Sequence, residues 1–206
     1  MCVSICIVCV LQPSYIPSKI IFLYKRLLGG DNLLKIFATQ LNGLFTKIRD
    51  EQMEDMEDGA RLLAQAIIAD GKIYVYGTAE MAAVASEAAY GAEPLTHAVA
   101  LTPDDMEQVS SVDRVLIVTR HSTDTEALAV AQKLADQGIS FVTLSTHQES
   151  EEESIAELAD VAIDLSLRNG LVPTDDGGRC GYPFSMAALY AYYGLKFTID
   201  EILADY

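Results

Sequence analysis

Five short apolar runs, spaced by helix-forming stretches or polar connections, constrain this chain more than any other feature. They are Lys72–Tyr76, Thr96–Leu101, Arg114–Val118, Ile139–Leu144 and Val161–Leu165. A strand half-exposed to water alternates apolar and polar residues. These runs show little alternation, so both of their faces are buried. Strands buried on both faces and separated by helices form a parallel sheet with helices on each side. The expectation is therefore an α/β domain: a doubly wound open sheet of five parallel strands flanked by helices, in flavodoxin-like layers.

The connecting segments agree. Leu34–Asp50 carries a helical stripe of Ile36, Phe37, Leu41, Leu44, Phe45 and Ile48. Glu51–Asp70 reads as a second helix, acidic at its start, where the helix dipole favours acids, and stopped by Asp70-Gly71. Ala79–Tyr90, Glu126–Gln137, Glu149–Leu158, Phe184–Leu195 and a short tail at Ile199–Leu203 read as further helices, and Thr102-Pro103-Asp104 as a helix start. The 206 residues suit one domain, and the 50% apolar content is enough for a sizeable core.

The formal net charge of −16 sets the partners. So acidic a surface repels phosphate backbones and anionic lipid, which disfavours nucleic acid and membranes. A small anion remains compatible, because backbone N–H groups at a helix start bind phosphate locally. Of the four cysteines, Cys2, Cys6 and Cys9 crowd the first ten residues and only Cys180 lies in the body. No disulfide framework is implied, which suits a reducing cytoplasm.

Residues 1–32 differ from the remainder: Lys19, Lys25 and Arg26 face one acid, Asp31. Three readings compete for them. As a signal or anchor, Val3–Leu11 is too short to span a bilayer and follows no basic residue. As an iron–sulfur site, the Cys2, Cys6, Cys9 spacing lacks the preceding strand that such a motif requires. The third is a non-native or disordered leader: Gly29-Gly30-Asp31 can be encoded by a ribosome-binding sequence just upstream of Leu33 and Leu34, whose codon can be the alternative start UUG. The expectation is the third, with one domain at 33–206.

In an open parallel sheet, ligands bind beyond the carboxyl ends of the strands. Three segments lie there. Gly77-Thr78-Ala79-Glu80 makes a tight strand exit, where the Thr78 hydroxyl either caps a helix or meets a phosphate. Thr119-Arg120-His121-Ser122-Thr123-Asp124-Thr125-Glu126 gathers four hydroxyls, a guanidinium and an imidazole. A capping box of Thr123 with Glu126 needs one hydroxyl, and the surplus suggests anion or sugar binding. Arg120 either grips a phosphate through two hydrogen bonds or pairs with a carboxylate, and His121 is a candidate acid or base. Ser145-Thr146-His147 is the third segment. Asp175 and Asp176 sit beside two glycines and read as a solvated turn rather than a cation site. No phosphate-binding P-loop, dinucleotide fingerprint or metal-spaced His/Cys cluster occurs, so neither metal nor cofactor is expected.

These segments, in this order, resemble the SIS (sugar isomerase) domain family. Phosphoheptose isomerases are similar through Pro94–Thr102, and an uncharacterised family of short SIS-like proteins from Gram-positive bacteria is a closer whole-chain likeness. The resemblance covers about Leu34 to Leu203. It implies a phosphosugar whose phosphate sits on Thr119, Ser122, Thr123 and the following helix start, with Gly77 and Thr78 toward the sugar, in a homodimer. The chain departs from the family loop Ser-x-Ser-Gly-x-Thr-x-Glu, which aligns Thr119, His121, Ser122 and Asp124 ahead of Glu126: the glycine is lost and an acid replaces the last hydroxyl. The family's glutamate before the second strand falls near Ala92, with Glu93 adjacent. Its histidine in the last helix has no counterpart.

The functional expectation is a cytoplasmic protein that binds a small phosphorylated sugar, as a sensor or as a diverged aldose–ketose isomerase. Glu93 and His121 are the candidate catalytic groups. Gly77, Thr78, Glu80, Thr119, Arg120, Ser122, Thr123, Thr125 and Ser145 are the candidate ligand-binding residues. The rival is a regulatory or structural partner protein with a vestigial pocket.

Overall fold

The computed structural model describes residues 18–148 and 153–205. A long helix α1 (Ser18–Glu51) and a second, α2 (Met53–Ile68), lead into strand β1 (Ile73–Gly77). Helix α3 (Ala82–Tyr90), strand β2 (Ala98–Ala100), strand β3 (Arg114–His121), helix α4 (Thr125–Asp136) and strand β4 (Phe141–Thr146) follow. The short helix α5 (Ile155–Leu158), strand β5 (Val161–Asp164), a small hairpin of β6 (Val172–Pro173) and β7 (Arg179–Cys180), and helix α6 (Phe184–Ala204) complete the order.

The main sheet runs β2-β1-β3-β4-β5 with every pair parallel. This is the doubly wound sheet expected from the apolar runs. Residues alternate between its two faces. Val75, Leu116, Val118, Val142 and Leu144 pack with α1, α2, α3 and α6, while Tyr74, Tyr76, Val115, Ile117 and Phe141 pack with α4 and α5. Ile48 and Leu63, both fully buried, seat α1 and α2 on the first face. Truncating a side chain such as Leu63 to alanine costs about 2–5 kcal/mol, because the cavity left behind does not fully collapse.

The structure differs from the sequence-based expectation at several places. The expected helices Phe184–Leu195 and Ile199–Leu203 are one continuous helix, α6. Strand β3 runs on through Thr119, Arg120 and His121, with a register shift between Val118 and His121 where it pairs with β4. The hydroxyl-rich segment is thus half strand, and the irregularity re-aims His121. The segment Pro103–Gln108 forms only a 3-10 helix. The cap of α4 is Asp124, whose Oδ1 accepts from the N–H groups of Glu126 and Ala127 at 3.1 and 3.2 Å. Thr123 does not form the expected capping box: its hydroxyl donates to Gln148 Oε1 at 3.1 Å. An ionised carboxylate is the stronger acceptor for orphan N–H groups, so Asp124 takes them.

Helix α1 is continuous across positions 32 and 33. Cys2, Cys6, Cys9 and the rest of residues 1–17 lie outside the described residues, as does the Glu149–Glu152 part of the expected acidic helix. Among the described residues no helix is long and apolar enough to cross a membrane.

Candidate functional site

The strand order reverses direction of winding between β1 and β3, the place where an open sheet leaves a crevice for a ligand. Here the protein's own groups span it. A Cβ at Gly77 would lie 2.5 Å from the Met81 carbonyl oxygen, so only glycine allows the chain to fold back so tightly. Ala79 turns the next corner at φ 47°, a left-handed conformation strained for a residue with a Cβ. That turn presents the Thr78 hydroxyl to the buried Thr119, to whose oxygen it donates at 2.9 Å, with Asp124 Oδ2 3.5 Å away. Outside this cluster Arg120 forms a two-pronged pair with Glu80: Nε donates to Oε1 at 2.5 Å, and the second prong joins Nη2 to Oε2. Hydrogen bonding to Arg120 holds the Glu80 carboxyl below its ordinary range. The guanidinium is correspondingly raised.

One strand over, the situation reverses. Beyond β3, β4 and β5 lies a cavity of about 420 Å³ lined by His121, Thr146, His147, Gln148 and Arg168. On these lining residues His121 Nδ1, Thr146 Oγ1 and His147 Nε2 are each covered from solvent and have no hydrogen-bond partner among the described residues. His121 packs edge-on against Phe184 of α6, ring centroids 5.2 Å apart. The wall is organised by the buried Asp164 at the end of β5. Its Oδ1 accepts from the N–H of His147 at 3.1 Å and of Ser166 at 2.8 Å, and its Oδ2 lies 3.1 Å from Arg168 Nη2. One carboxylate thus anchors both the β4 exit that carries His147 and the β5 exit that carries Arg168.

The candidates named from sequence divide accordingly. Gly77, Thr78, Thr119, Arg120 and Glu80 come together at the β1/β3 crevice. His121 alone of them lines the cavity. Ser122 is buried: its carbonyl accepts from Ile155 N–H at 2.9 Å and its Oγ from Gln148 N–H at 3.3 Å. Thr125 is exposed on the first turn of α4. Ser145 is fully buried within β4, one residue short of the cavity wall, with its hydroxyl unpartnered among the described residues. Glu93 is exposed in the bend before β2, at the end of the sheet where strands begin. His121 lies at the other end, so one chain does not bring these two together.

The sequence reading did not single out Gln148 or Arg168. Arg168 was findable, since it follows the fifth strand on the same edge as the other candidates. Asp176 is engaged within the β6–β7 turn, accepting from the Thr174 hydroxyl and, at 3.2 Å, from Gly178 N–H. Among the described residues no cluster of His, Cys, Asp or Glu has the form of a metal site.

Comparison with known proteins places the chain. Residues 33–203 match the family described as "Domain of unknown function (DUF2529)". The chain belongs to the DUF2529 family. Over 174 residues it is 41% identical to the uncharacterized protein YwjG of Bacillus subtilis (strain 168), covering 84% of this chain and 99% of that one. Among solved structures it resembles the phosphoheptose isomerase GmhA from Neisseria gonorrhoeae, with TM-score 0.61 and 17% identity, covering 84% of this chain and 98% of that one. It also resembles the Vibrio vulnificus NanR protein complexed with ManNAc-6P, with TM-score 0.61 and 13% identity, covering 84% of this chain and 63% of that one. At such identities the likeness is one of fold, and that fold is the SIS fold expected from the sequence. This DUF2529 chain has the five-stranded sheet of that fold, with Asp124, Thr78 and the Arg120–Glu80 pair at its β1/β3 crevice.

Proposed function

We propose that this protein binds a small phosphorylated sugar in the cavity beyond β3, β4 and β5, and acts as a sugar-phosphate sensor rather than an isomerase. The observation that carries the reading is a cavity lined by the polar side chains of His121, Thr146, His147 and Gln148 and edged by Arg168, three of which also bury a polar atom with no partner among the described residues. Each such atom costs about 1–3 kcal/mol while it lacks a partner. A sugar offers hydroxyls that donate and accept, and a phosphate suits a guanidinium. The complex of the similarly folded NanR protein with ManNAc-6P supports the ligand class.

Isomerisation between aldose and ketose needs a base that moves a proton between adjacent carbons. The separation of Glu93 from His121 and the lack of a histidine in α6 speak against it. On this reading the protein is a cytoplasmic homodimer; sedimentation of the purified chain checks the dimer, and fractionation of the host cell checks the compartment.

The test is thermal stability against a panel of sugar phosphates and inorganic phosphate. A ligand at a hundred times its dissociation constant adds about 2.7 kcal/mol. The expected result is a shift with one class of sugar phosphate, lost in Thr146→Val and His147→Phe, without turnover of that sugar by proton NMR. If no compound in the panel shifts the transition, the reading falls.

A second reading has its own observation. The Asp124 carboxylate occupies the α4 N-terminus, where a phosphate would otherwise sit. A chain that has closed this anion site can serve as a regulatory or structural partner, and an unresponsive panel would favour that role.

A further inference from the structure

Arg168 lines a second cavity as well as the first. This one, of about 400 Å³, lies between α1 and the segment that joins β5 to β6, and its wall includes Lys47, Ser166, Asn169 and Arg179. Lys47 projects from α1, and its nearest carboxylate, Glu51, is 3.7 Å away on an exposed helix face. Arg179 reaches over the segment, Nε donating to the Gly170 carbonyl at 2.5 Å and Nη2 to the Leu171 carbonyl at 3.1 Å. Gly170 is needed for this fold-back, since a Cβ there would meet the Cys180 carbonyl oxygen at 2.6 Å. Asp164, the acid nearest Arg168, offsets one guanidinium, and among the described residues no carboxylate lines either cavity.

That distribution runs against the rest of the molecule. In a chain of 30 acidic and 14 basic residues, two adjoining hollows share an arginine, and three cations line the outer one. The long-range field of such a protein repels an anion, so anion affinity has to come from cations at short range, where screening is least effective. The inner cavity offers one guanidinium, already shared with Asp164, and two imidazoles. The outer one adds Lys47 and Arg179.

We infer that the two cavities form one two-lobed site around Arg168, which selects a sugar carrying two anionic groups: one in the lobe of His121 and His147, the other on Lys47 and Arg179. This rests on the sugar-phosphate reading above and narrows it to sugar bisphosphates or phosphorylated sugar acids. A sugar monophosphate fills the inner lobe alone and leaves the second pair of cations unused.

The experiment is calorimetric titration of the full chain with matched pairs, a hexose 6-phosphate against the same hexose 1,6-bisphosphate, in aldose and ketose form. Lys47→Gln is the principal variant, because Lys47 has only an exposed ion pair to lose; Lys47→Arg is its rescue, and Arg179→Gln is the second. The expected result is that the bisphosphate binds at least tenfold tighter than its monophosphate. Lys47→Gln should remove about tenfold of bisphosphate affinity while leaving monophosphate affinity unchanged, and Lys47→Arg should restore it. Equal affinities within a pair, or a Lys47→Gln variant that binds the bisphosphate as wild type does, would overturn the two-lobed site while leaving the sugar-phosphate reading intact. Binding of neither member would remove both.

Discussion

Asp124 holds two elements together from one side chain: Oδ1 caps α4 through the N–H groups of Glu126 and Ala127, while Oδ2 lies 3.5 Å from the Thr78 hydroxyl that follows β1. The carboxylate thus fills, from within the chain, a position that a bound anion would otherwise take. Asp124→Ala should cost about 1 kcal/mol, the usual worth of an N-cap. Asp124→Ser keeps a capping oxygen and removes the charge. It should unfold within a few tenths of a kcal/mol of wild type yet bind inorganic phosphate measurably more tightly by titration calorimetry. Phosphate affinity unchanged from wild type would show that the carboxylate is only a cap.

The Arg120–Glu80 pair lies largely in solvent, with side-chain exposures of 48% and 39%. Exposed pairs contribute about 0–1 kcal/mol, so Glu80→Gln should leave the melting temperature nearly unchanged. The freed Arg120 should make the protein bind anions better at low salt than at high salt. A loss of several degrees in Tm would mean that the pair holds the β1 turn rather than restraining Arg120.

Asp113 should contribute to stability against acid. Burial pushes its carboxyl upward, but hydrogen bonds from the Ser110 hydroxyl and N–H and from the Lys72 N–H outweigh that and hold it below the ordinary value of 3.8. A depressed folded value means that the stabilisation is complete above the unfolded value. It is lost as pH falls from about 4 through the folded value. Asp113→Asn should cost about 1.5–3 kcal/mol at neutral pH, the range for bonds to a charged group, and should flatten the stability profile below pH 4. Denaturant titrations of both proteins between pH 2 and pH 7 make the comparison, and parallel profiles would exclude Asp113 as the group responsible.

We propose that residues 1–32 are a leader rather than part of the working domain. The family match begins at residue 33. Intact-mass measurement of the protein purified from its natural host should give an N-terminus near Leu33. A mass that includes Met1 or the three early cysteines would end this reading.

Much of the architecture was legible because buried parallel strands leave a local mark. Val115–Val118 are apolar at consecutive positions, and Phe141, Val142 and Leu144 are buried with only Thr143 polar between them, as a sheet covered on both faces requires. Gly77 marked a real turn, and the edge of the sheet that carries the candidate ligand residues followed from the strand order. The candidate site was legible only in part. Thr119, Ser122 and Thr123 have the composition of an anion loop, yet their oxygens face Thr78, Gln148 N–H and Gln148 Oε1. Nothing local to the loop announces those partners, which come from β1 and from beyond β4.

The sequence by itself determined the class of fold and the places of its buried strands. Both follow from runs of apolar residues, which are a property of neighbours along the chain. Only the tertiary structure decided which polar groups satisfy one another. Asp124 takes the helix start, Arg120 goes to Glu80, and Asp164 draws together the exits of β4 and β5. Hydrogen bonds and ion pairs depend on distances of a few ångströms between residues up to tens of positions apart. The atoms of His121, Thr146 and His147 that lack a partner among the described residues, on side chains that line a cavity with Arg168, are visible only after those pairings are made.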